Sequence, residues 1–335
     1  MVMKTSTAKP CSCSLVARMS ERILRLGTRG SQLALTQANL VIGMLAEHLP
    51  NQVEISTIAT EGDLTQGSLA HPIRPGVFVS AVRDALLAGE VDLIVHSLKD
   101  LPSAPADGLV IAGVPEREDA RDVVLTRTGC SFTELPAGAK VGTSSPRRTA
   151  RIEYLRPDLQ CVPIRGNVDT RIAKLHAGEY DAIVLAAAGL NRLGRGDEIT
   201  EYLTTDDLLP APGQGALAVE VRADDAELIE ALSKITHDPT LSTVHAERAV
   251  LHNLGASCRT AVGALATIDA AGLHLSAELS DDRSGLHERL ELSSTDTTPE
   301  GARKLGKQMA TLLLATDVGR DLVGHELSPR ESVDD

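Results

Sequence analysis

The stretch at residues 91–102 constrains the fold most, because it joins a buried strand directly to a polar cluster. The apolar run at 91–95 passes into His96-Ser97-Leu98-Lys99-Asp100 and stops at a proline. Such a run is typical of a strand buried on both faces of a parallel sheet, and ligands collect beyond the carboxyl ends of these strands. We therefore expect Lys99 and Asp100 to face a cleft. A solvated charged turn is the alternative.

A second copy of this construction lies later in the chain. Residues 86–95 contain a helix end, a glycine and a buried strand, and residues 175–184 repeat that order over ten positions. A Gly-Thr turn followed by a helix start occurs at residues 26–31, and a similar turn occurs at 141–148. Ordinary strand-to-helix turn chemistry could produce either match alone. Together the matches predict two similar α/β lobes that face a cleft.

The order of the elements before residue 91 predicts a parallel sheet. Ser31 is a suitable N-cap for the first helix, and Gly89 would end the second. Residues 60–76 form a long polar segment of the kind found in lids or disordered loops. The expected elements are a strand at 23–26, a helix at 32–48, a strand at 53–59 and a helix at 78–88.

The second half of the chain predicts a hinge and a third domain. Residues 208–215 contain two prolines and two glycines, and a strand at 216–221 would rejoin the first lobe. The third domain would hold a helix at 240–254, strands at 261–268, 272–280 and 286–293, and a helix at 299–315. We expect a first lobe at 21–116 and 216–235, a second lobe at 120–210, an α+β domain at 238–328, and a disordered leader and tail at 1–20 and 329–335.

Composition excludes several classes of protein. A chain of 335 residues with 42% hydrophobic residues can form more than one domain, and a net charge of -13 disfavours binding to nucleic acid or acidic membranes through the overall field. With no Trp, two Phe and three Tyr, there is little material for stacking on bases. No apolar stretch reaches the roughly 18 to 20 residues of a membrane span, and no secretory signal is recognisable. We expect a cytoplasmic protein.

The cysteines predict neither disulfides nor a metal site. There are five, at positions 11, 13, 130, 161 and 258, and their odd number and scattered spacing match no disulfide framework or ligand pattern. Cys258 follows the helix of the third domain and precedes Arg259. It is either a buried, inert cysteine or a nucleophile or attachment site whose pKa its basic neighbour lowers.

Five arginines stand where helices are expected to begin. Helix N-termini carry partial positive charge, so an arginine there is unfavourable unless an anion is present. Backbone N–H groups and guanidinium forks together can bind carboxylates, so the pattern predicts a polyanionic ligand and favours a polycarboxylate. Taken singly, each arginine could instead pair with a nearby acid. Phosphate is disfavoured because no phosphate-binding glycine motif is present. The arginines are Arg29, Arg147, Arg148, Arg165 and Arg171.

These features resemble the porphobilinogen deaminase family, also called hydroxymethylbilane synthases. The resemblance spans nearly the whole chain and rests on motifs that are weak singly and specific in this order. They are Gly27-Thr28-Arg29-Gly30-Ser31, His96-Ser97-Leu98-Lys99-Asp100-Leu101-Pro102, Glu116-Arg117-Glu118-Asp119-Ala120-Arg121-Asp122, Val141-Gly142-Thr143-Ser144-Ser145-Pro146-Arg147-Arg148, Arg165-Gly166-Asn167-Val168-Asp169-Thr170-Arg171, Ala188-Gly189-Leu190-Asn191-Arg192-Leu193-Gly194, Leu209-Pro210-Ala211-Pro212-Gly213-Gln214-Gly215 and the Cys258 loop.

The resemblance implies a fold and an activity. The fold would be two α/β lobes like those of type II periplasmic binding proteins, with a discontinuous first lobe, plus a small C-terminal α+β domain. A dipyrromethane cofactor would be attached to Cys258 through a thioether. Four porphobilinogen molecules would be joined to it head to tail, each losing ammonia, before hydrolysis releases the linear tetrapyrrole. The family also implies a monomer.

The resemblance also implies roles for individual residues. Asp100 matches the catalytic aspartate, which would stabilise the cationic azafulvene formed when ammonia leaves and would shuttle protons. Residues 60–76 would form the lid. The matching carboxylate-binding residues are Arg29, Lys99, Arg147, Arg148, Arg165, Arg171 and Arg192, with Ser31, Thr143, Ser145 and Asn167 as supporting hydrogen-bonding groups.

Two departures from the family pattern concern loops. Arg74 is the only firm cation in the stretch 71–78, where many members carry lysines. Ser257 and Ala261 stand where the family often has glycine and proline around the cysteine. A two-lobed module that binds or senses an anion without chemistry is the alternative function, and the third domain and Cys258 count against it.

Overall fold

The computed structural model describes residues 22–59, 79–255, 260–280 and 287–320. The first part of the chain forms one lobe around a buried central strand. Its elements are β1 (Leu24–Thr28), α1 (Gln32–Ala46), β2 (Val53–Thr57), α2 (Ser80–Leu87), β3 (Leu93–Ser97), a 3₁₀ turn (Leu98–Asp100) and β4 (Leu109–Gly113).

The chain then crosses into a second lobe that contains the same β-α-β-α-β succession. This lobe consists of β5 (Asp122–Thr126), β6 (Lys140–Gly142), α3 (Pro146–Leu155), β7 (Gln160–Val162), α4 (Val168–His176), β8 (Ala182–Ala186), α5 (Ala187–Arg192), a 3₁₀ turn (Gly196–Glu198) and β9 (Glu201–Tyr202). The chain returns to the first lobe through β10 (Leu217–Arg222) and α6 (Ala226–Ser233).

The two sheets have equivalent strand orders. The first is β2-β1-β3-β10-β4 and the second is β7-β6-β8-β5-β9. In each sheet the first three strands are parallel, and the fourth is antiparallel to both of its neighbours. The prediction of a parallel sheet was therefore incomplete. The antiparallel strand is the one that arrives from the other lobe, so it is not constrained by the right-handed β-α-β crossovers that keep the other strands parallel.

Local sequence explains the lobes' helix boundaries. Ser31 accepts a hydrogen bond from the N–H of Ala34 and caps α1, while Ser145 caps α3 with a proline at its first position. Gly89 and Gly178 follow α2 and α4 with φ angles of 72° and 80°, which favour glycine. The strands that follow these glycines are buried, as both apolar runs predict.

A third unit packs two helices on one antiparallel sheet. Its elements are α7 (Asp238–Asn253), β11 (Ala261–Asp269), β12 (Gly272–Ser280), β13 (His287–Ser294) and α8 (Pro299–Leu314). One apolar cluster joins both helices to this sheet. The expected fold class is therefore confirmed: two α/β lobes, the first built from two separate stretches, and a small α+β domain with a three-stranded antiparallel sheet. The limits of the three domains stay a prediction.

Glu247 fixes the third unit to both chain crossings between the lobes. Its carboxylate is fully buried and accepts hydrogen bonds from Arg117 at 2.6 and 3.0 Å and from the N–H groups of Gly213 and Ala266 at 2.6 and 2.9 Å. Arg117 lies on the first crossing and Gly213 on the second. One charged group therefore ties α7 and β11 to both connections.

Candidate active site

Lys99 and Asp100 lie on the 3₁₀ turn at the end of β3. The turn is anchored by Leu98, whose side chain is buried and whose N–H donates to the carbonyl of Ala216 at 3.0 Å. Lys99 is partly buried, and Asp100 is exposed. The turn therefore presents a charged pair on a fixed backbone, as the sequence pattern predicts.

Gln214 joins this turn to the second lobe. Its buried side chain accepts a hydrogen bond from Lys99 Nζ at 3.1 Å and donates to Asp122 Oδ1 at 3.0 Å and to the carbonyl of Ala120 at 2.7 Å. Asp122 begins β5. A single amide on the second crossing thus connects the two lobes.

Asp122 holds two arginines at the start of α3. Its carboxylate pairs with Arg147 and Arg148, each at 2.7 Å, and all three side chains are buried. Burial alone would raise the pKa of Asp122, but the two guanidinium groups lower that pKa to about 2. Each arginine also donates to a backbone carbonyl, at Leu209 and Val184 respectively. Both arginines therefore pair with a nearby acid, which was the alternative to binding a ligand. However, this one acid neutralises only one of their two positive charges.

Arg171 belongs to the same electrostatic environment. Its Nε donates to the carbonyl of Gly166 at 2.8 Å. Burial and the nearby Arg148 lower its pKa to about 10, while Asp100 acts in the opposite direction. Arg171 is therefore close enough to Arg148 in the second lobe and to Asp100 in the first lobe for both charges to affect its pKa.

Lys99 also lies where positive charges outnumber negative ones. Burial, followed by the charge of Arg148, lowers the pKa of Lys99 to about 8, although Asp100 and Asp122 oppose this shift. Four cations, Lys99, Arg147, Arg148 and Arg171, therefore share two carboxylates. Partly desolvated cations that repel one another are stabilised by an anion, so these residues fit a ligand that carries several carboxylates.

Three further arginines were predicted to bind the ligand. Arg192 donates to the carbonyl of Gly215 at 2.7 Å and so holds the second crossing, and burial lowers its pKa. Arg29 and Arg165 are partly buried and lie just after β1 and just before α4. The contacts of these three residues with a ligand stay a prediction.

The four predicted supporting residues stabilise turns and helix starts. Besides Ser31, the Ser145 hydroxyl accepts from the N–H of Arg148 at 3.5 Å, and Thr143 Oγ1 accepts from the N–H of Ser145 at 3.2 Å. Asn167 Oδ1 accepts from the N–H and the hydroxyl of Thr170, both at 2.9 Å. They hold the helix starts that position the arginines, and their contacts with a ligand stay a prediction.

Several expected features lie outside the described residues, namely Cys258, the predicted lid at 60–76 with Arg74, the leader at 1–20 and the tail at 329–335. Within the described ranges, no group of three or more His, Cys, Asp or Glu residues could hold a metal ion. No helix in those ranges is long and apolar enough to cross a membrane.

Sequence reasoning missed three residues of this site. Asp122 had a signal, because an acid at the head of Asp122-Val123-Val124-Leu125 is unusual in a strand that is otherwise apolar. Gln214 was assigned to a hinge and a family motif but given no role, and Arg248 had no distinguishing signal. Their partners lie more than 90 residues away for Gln214 and more than 140 for Arg248.

The fold and the site define a two-lobed α/β protein with a desolvated cluster of cations beside an exposed carboxylate. Residues 24–230 match the family described as "Porphobilinogen deaminase, dipyromethane cofactor binding domain", and residues 241–315 match its C-terminal domain. The chain therefore belongs to the porphobilinogen deaminase family. The expected function, a transferase that polymerises porphobilinogen on a dipyrromethane cofactor, is confirmed over the alternative of a non-catalytic module.

Similar proteins from several bacteria cover most of the chain. Porphobilinogen deaminase 1 of Streptomyces coelicolor is 49% identical over 310 residues, covering 89% of this chain and 96% of the relative. The enzyme of Syntrophobacter fumaroxidans is 43% identical over 307 residues, covering 91% and 98%. Among solved structures, the VFT2 domain of Bordetella pertussis BvgS has a TM-score of 0.41 and 16% identity, covering 67% of this chain and 89% of that domain.

Proposed function

We propose that the junction of the two lobes is the active site of a hydroxymethylbilane synthase, with Asp100 as its catalytic residue. The observation that carries this proposal is the chain of contacts from Lys99 through Gln214 to Asp122 and its two arginines. It holds the turn bearing Asp100 beside the cations of the second lobe. A substrate whose carboxylates are bound by these cations would have its pyrrole ring near Asp100.

The cationic residues would bind the acetate and propionate groups of the substrate and of the dipyrromethane cofactor. When bound, that cofactor supplies the pyrrole carbon to which the first substrate unit is joined. Bidentate guanidinium contacts fix the orientation of a carboxylate, whereas Lys99 acts as a point charge. The proposed binding residues are Arg29, Lys99, Arg147, Arg148, Arg165, Arg171 and Arg192, with Ser31, Thr143, Ser145 and Asn167 supporting them.

Asp100 would act on the positive charge that develops in the substrate. The C–N bond of the aminomethyl group breaks as ammonia leaves, the unsubstituted carbon of the acceptor pyrrole forms a C–C bond with the resulting methylene, and that pyrrole carbon then loses its proton. An oxygen of the Asp100 carboxylate stabilises the cation and accepts that proton. Within the described residues, Asp100 has no hydrogen bond or ion pair with another side chain, so both oxygens are available to the substrate.

The remaining proposals concern the whole molecule. We infer covalent attachment of one dipyrromethane to Cys258, four rounds of addition, a monomer, and a cytoplasmic location without nucleic-acid or membrane partners. The third unit supports the attachment, because α7 ends at Asn253 and leads directly to residue 258. The net charge of -13 supports the lack of a nucleic-acid partner.

Intact-mass spectrometry tests the attachment. The purified protein should exceed its sequence mass by one dipyrrole, and Cys258→Ser should lose that increment together with turnover. Cys161→Ser is the matched control, because burial and then Glu153 raise the pKa of the Cys161 thiol to about 11 and leave it unreactive. An unmodified protein with full activity would contradict the proposal.

A further inference from the structure

The position of Asp100 depends on the backbone of its turn. Its carboxylate makes no side-chain contact that would hold it in the described part of the chain. The turn is three residues long, with one internal bond from the N–H of Leu101 to the carbonyl of Leu98 at 3.1 Å. Short turns of this kind need outside contacts to keep one geometry.

Arg248 supplies such contacts from the third unit. Its Nη1 donates to the carbonyls of Leu98 at 3.4 Å and Leu101 at 3.2 Å, and its Nη2 donates to the carbonyl of Pro102 at 2.6 Å. These carbonyls stand on both sides of Asp100 in the chain. In the described ranges Arg248 has no ion pair within 4.0 Å, so its guanidinium group is committed to the turn.

The helix that carries Arg248 is itself fixed. The preceding residue, Glu247, is buried and holds both lobe crossings, as described above. Val244, one turn earlier, packs with Leu98 and Leu101 in a shared apolar cluster. The same helix, α7, ends five residues before Cys258. One rigid element therefore contacts the catalytic turn and leads to the proposed attachment point.

We infer that Arg248 is a positioning residue that keeps Asp100 in register with the cofactor attached at Cys258. This inference rests on the proposed roles of Asp100 and Cys258. Through its carbonyl contacts, Arg248 fixes the turn to the helix that precedes Cys258 in the chain. Without them, the turn would move relative to the pyrrole on which Asp100 acts, while the carboxylate-binding residues would stay in place.

The test is the steady-state kinetics of Arg248→Ala per cofactor-bearing molecule. A misplacement of about 1 Å can cost about 100-fold in rate. We expect kcat to fall between about 10-fold and 100-fold, with little change in KM and a complete dipyrrole mass. Added guanidinium should restore part of kcat. Arg248→Lys keeps a positive charge and one donor nitrogen, so it should lose less activity, and it provides a variant that is expected to fold.

Arg156→Ala is the matched control. Arg156 likewise donates to three backbone carbonyls, at Phe132, Thr133 and Leu135, but these belong to a loop of the second lobe outside the proposed site. This variant should lose thermal stability as Arg248→Ala does, yet keep its kcat. Equal losses of kcat in both variants would show a general effect on folding and would contradict the inference.

Asp100→Asn separates this inference from the proposed function. An inactive Asp100→Asn together with normal kcat in Arg248→Ala would overturn the role of Arg248 alone. Near-normal turnover in Asp100→Asn would overturn the proposed function and, with it, the inference. A loss of the cofactor mass in Arg248→Ala, in proportion to its loss of activity, would also overturn the inference about Arg248. Arg248 would then act in cofactor assembly.

Discussion

The two α/β lobes share one strand order but end their equivalent strands differently. In the first lobe, β3 leads into a 3₁₀ turn that carries Lys99 and Asp100, whereas in the second lobe β8 leads into α5 with alanines at the corresponding point. The second lobe instead concentrates arginines at the start of α3 and on α4. The comparison teaches that duplicated scaffolds can divide work: under the proposed roles both lobes bind anions, and the lobe that bears Asp100 also carries the acid–base chemistry.

The strands by which the chain enters each lobe, β5 and β10, also differ in the partners of their buried acids. Each contains a buried acid, Asp122 on β5 and Glu220 on β10. Asp122 pairs with two buried arginines, while Glu220 pairs with Arg83 at 2.6 Å and His96 at 3.2 Å. The partners of Asp122 are two buried arginines, whereas Arg83 is partly exposed. The acid of the second lobe is therefore the harder one to replace.

The largest predicted effect follows from this difference. Asp122→Asn would leave two guanidinium groups buried without a counter-charge, and breaking a buried pair costs about 3–5 kcal/mol. Glu220→Gln should cost less, because Arg83 is more exposed than Arg147 and Arg148. Urea unfolding of the two variants measures both free energies. A larger loss for Glu220→Gln would contradict the comparison.

Lowering the pH should remove the stabilisation that Asp122 provides. Despite burial, which acts to raise it, the pKa of Asp122 lies at about 2, because Arg147 and Arg148 lower it, and the unfolded value is about 3.9. A pKa lowered by folding adds stability above pH 4 that is lost as the pH falls toward 2. The unfolding free energy should drop over this window in the wild type and less in Asp122→Asn. Equal slopes would rule out the pairing.

An intermediate effect concerns Lys99. Burial and Arg148 lower its pKa to about 8, so above pH 8 its proton is lost and it no longer attracts a carboxylate. KM for porphobilinogen should rise, by up to about tenfold per pH unit, because the protonated fraction falls at that rate. Lys99→Arg keeps its charge and should show a flatter KM profile. Identical profiles would argue against a binding role for this ammonium group.

The smallest predicted effect tests the similarity of the lobes. Gly89 and Gly178 end equivalent helices with positive φ, and nothing lies within 4 Å of an added Cβ at either position. Gly89→Ala and Gly178→Ala should each cost about 1 kcal/mol through backbone strain alone. Thermal unfolding of the two variants should give similar losses. A marked difference would mean that the two helix ends are not equivalent.

Most of the fold could be predicted because its signals are local. The strand expected at 272–280 is Gly272–Ser280, and the helix expected at 299–315 is Pro299–Leu314. The antiparallel entry of β5 and β10 could not be predicted, because strand direction depends on which lobe the chain has left. In the site, the charged turn was predicted from its strand. The pairing of Asp122 with Arg148 was not, since 26 residues separate them and only packing brings them together.

Steady-state kinetics of Asp100→Asn and Arg171→Gln test most directly whether the lobes divide the work. Asp100→Asn should lower kcat by about two orders of magnitude or more with KM nearly unchanged, because it removes a charge that acts in the transition state. Arg171→Gln should raise KM and keep most of kcat, because it removes a contact made equally before and during the reaction. The same pattern of losses in both variants, or the reverse pattern, would contradict the division of work.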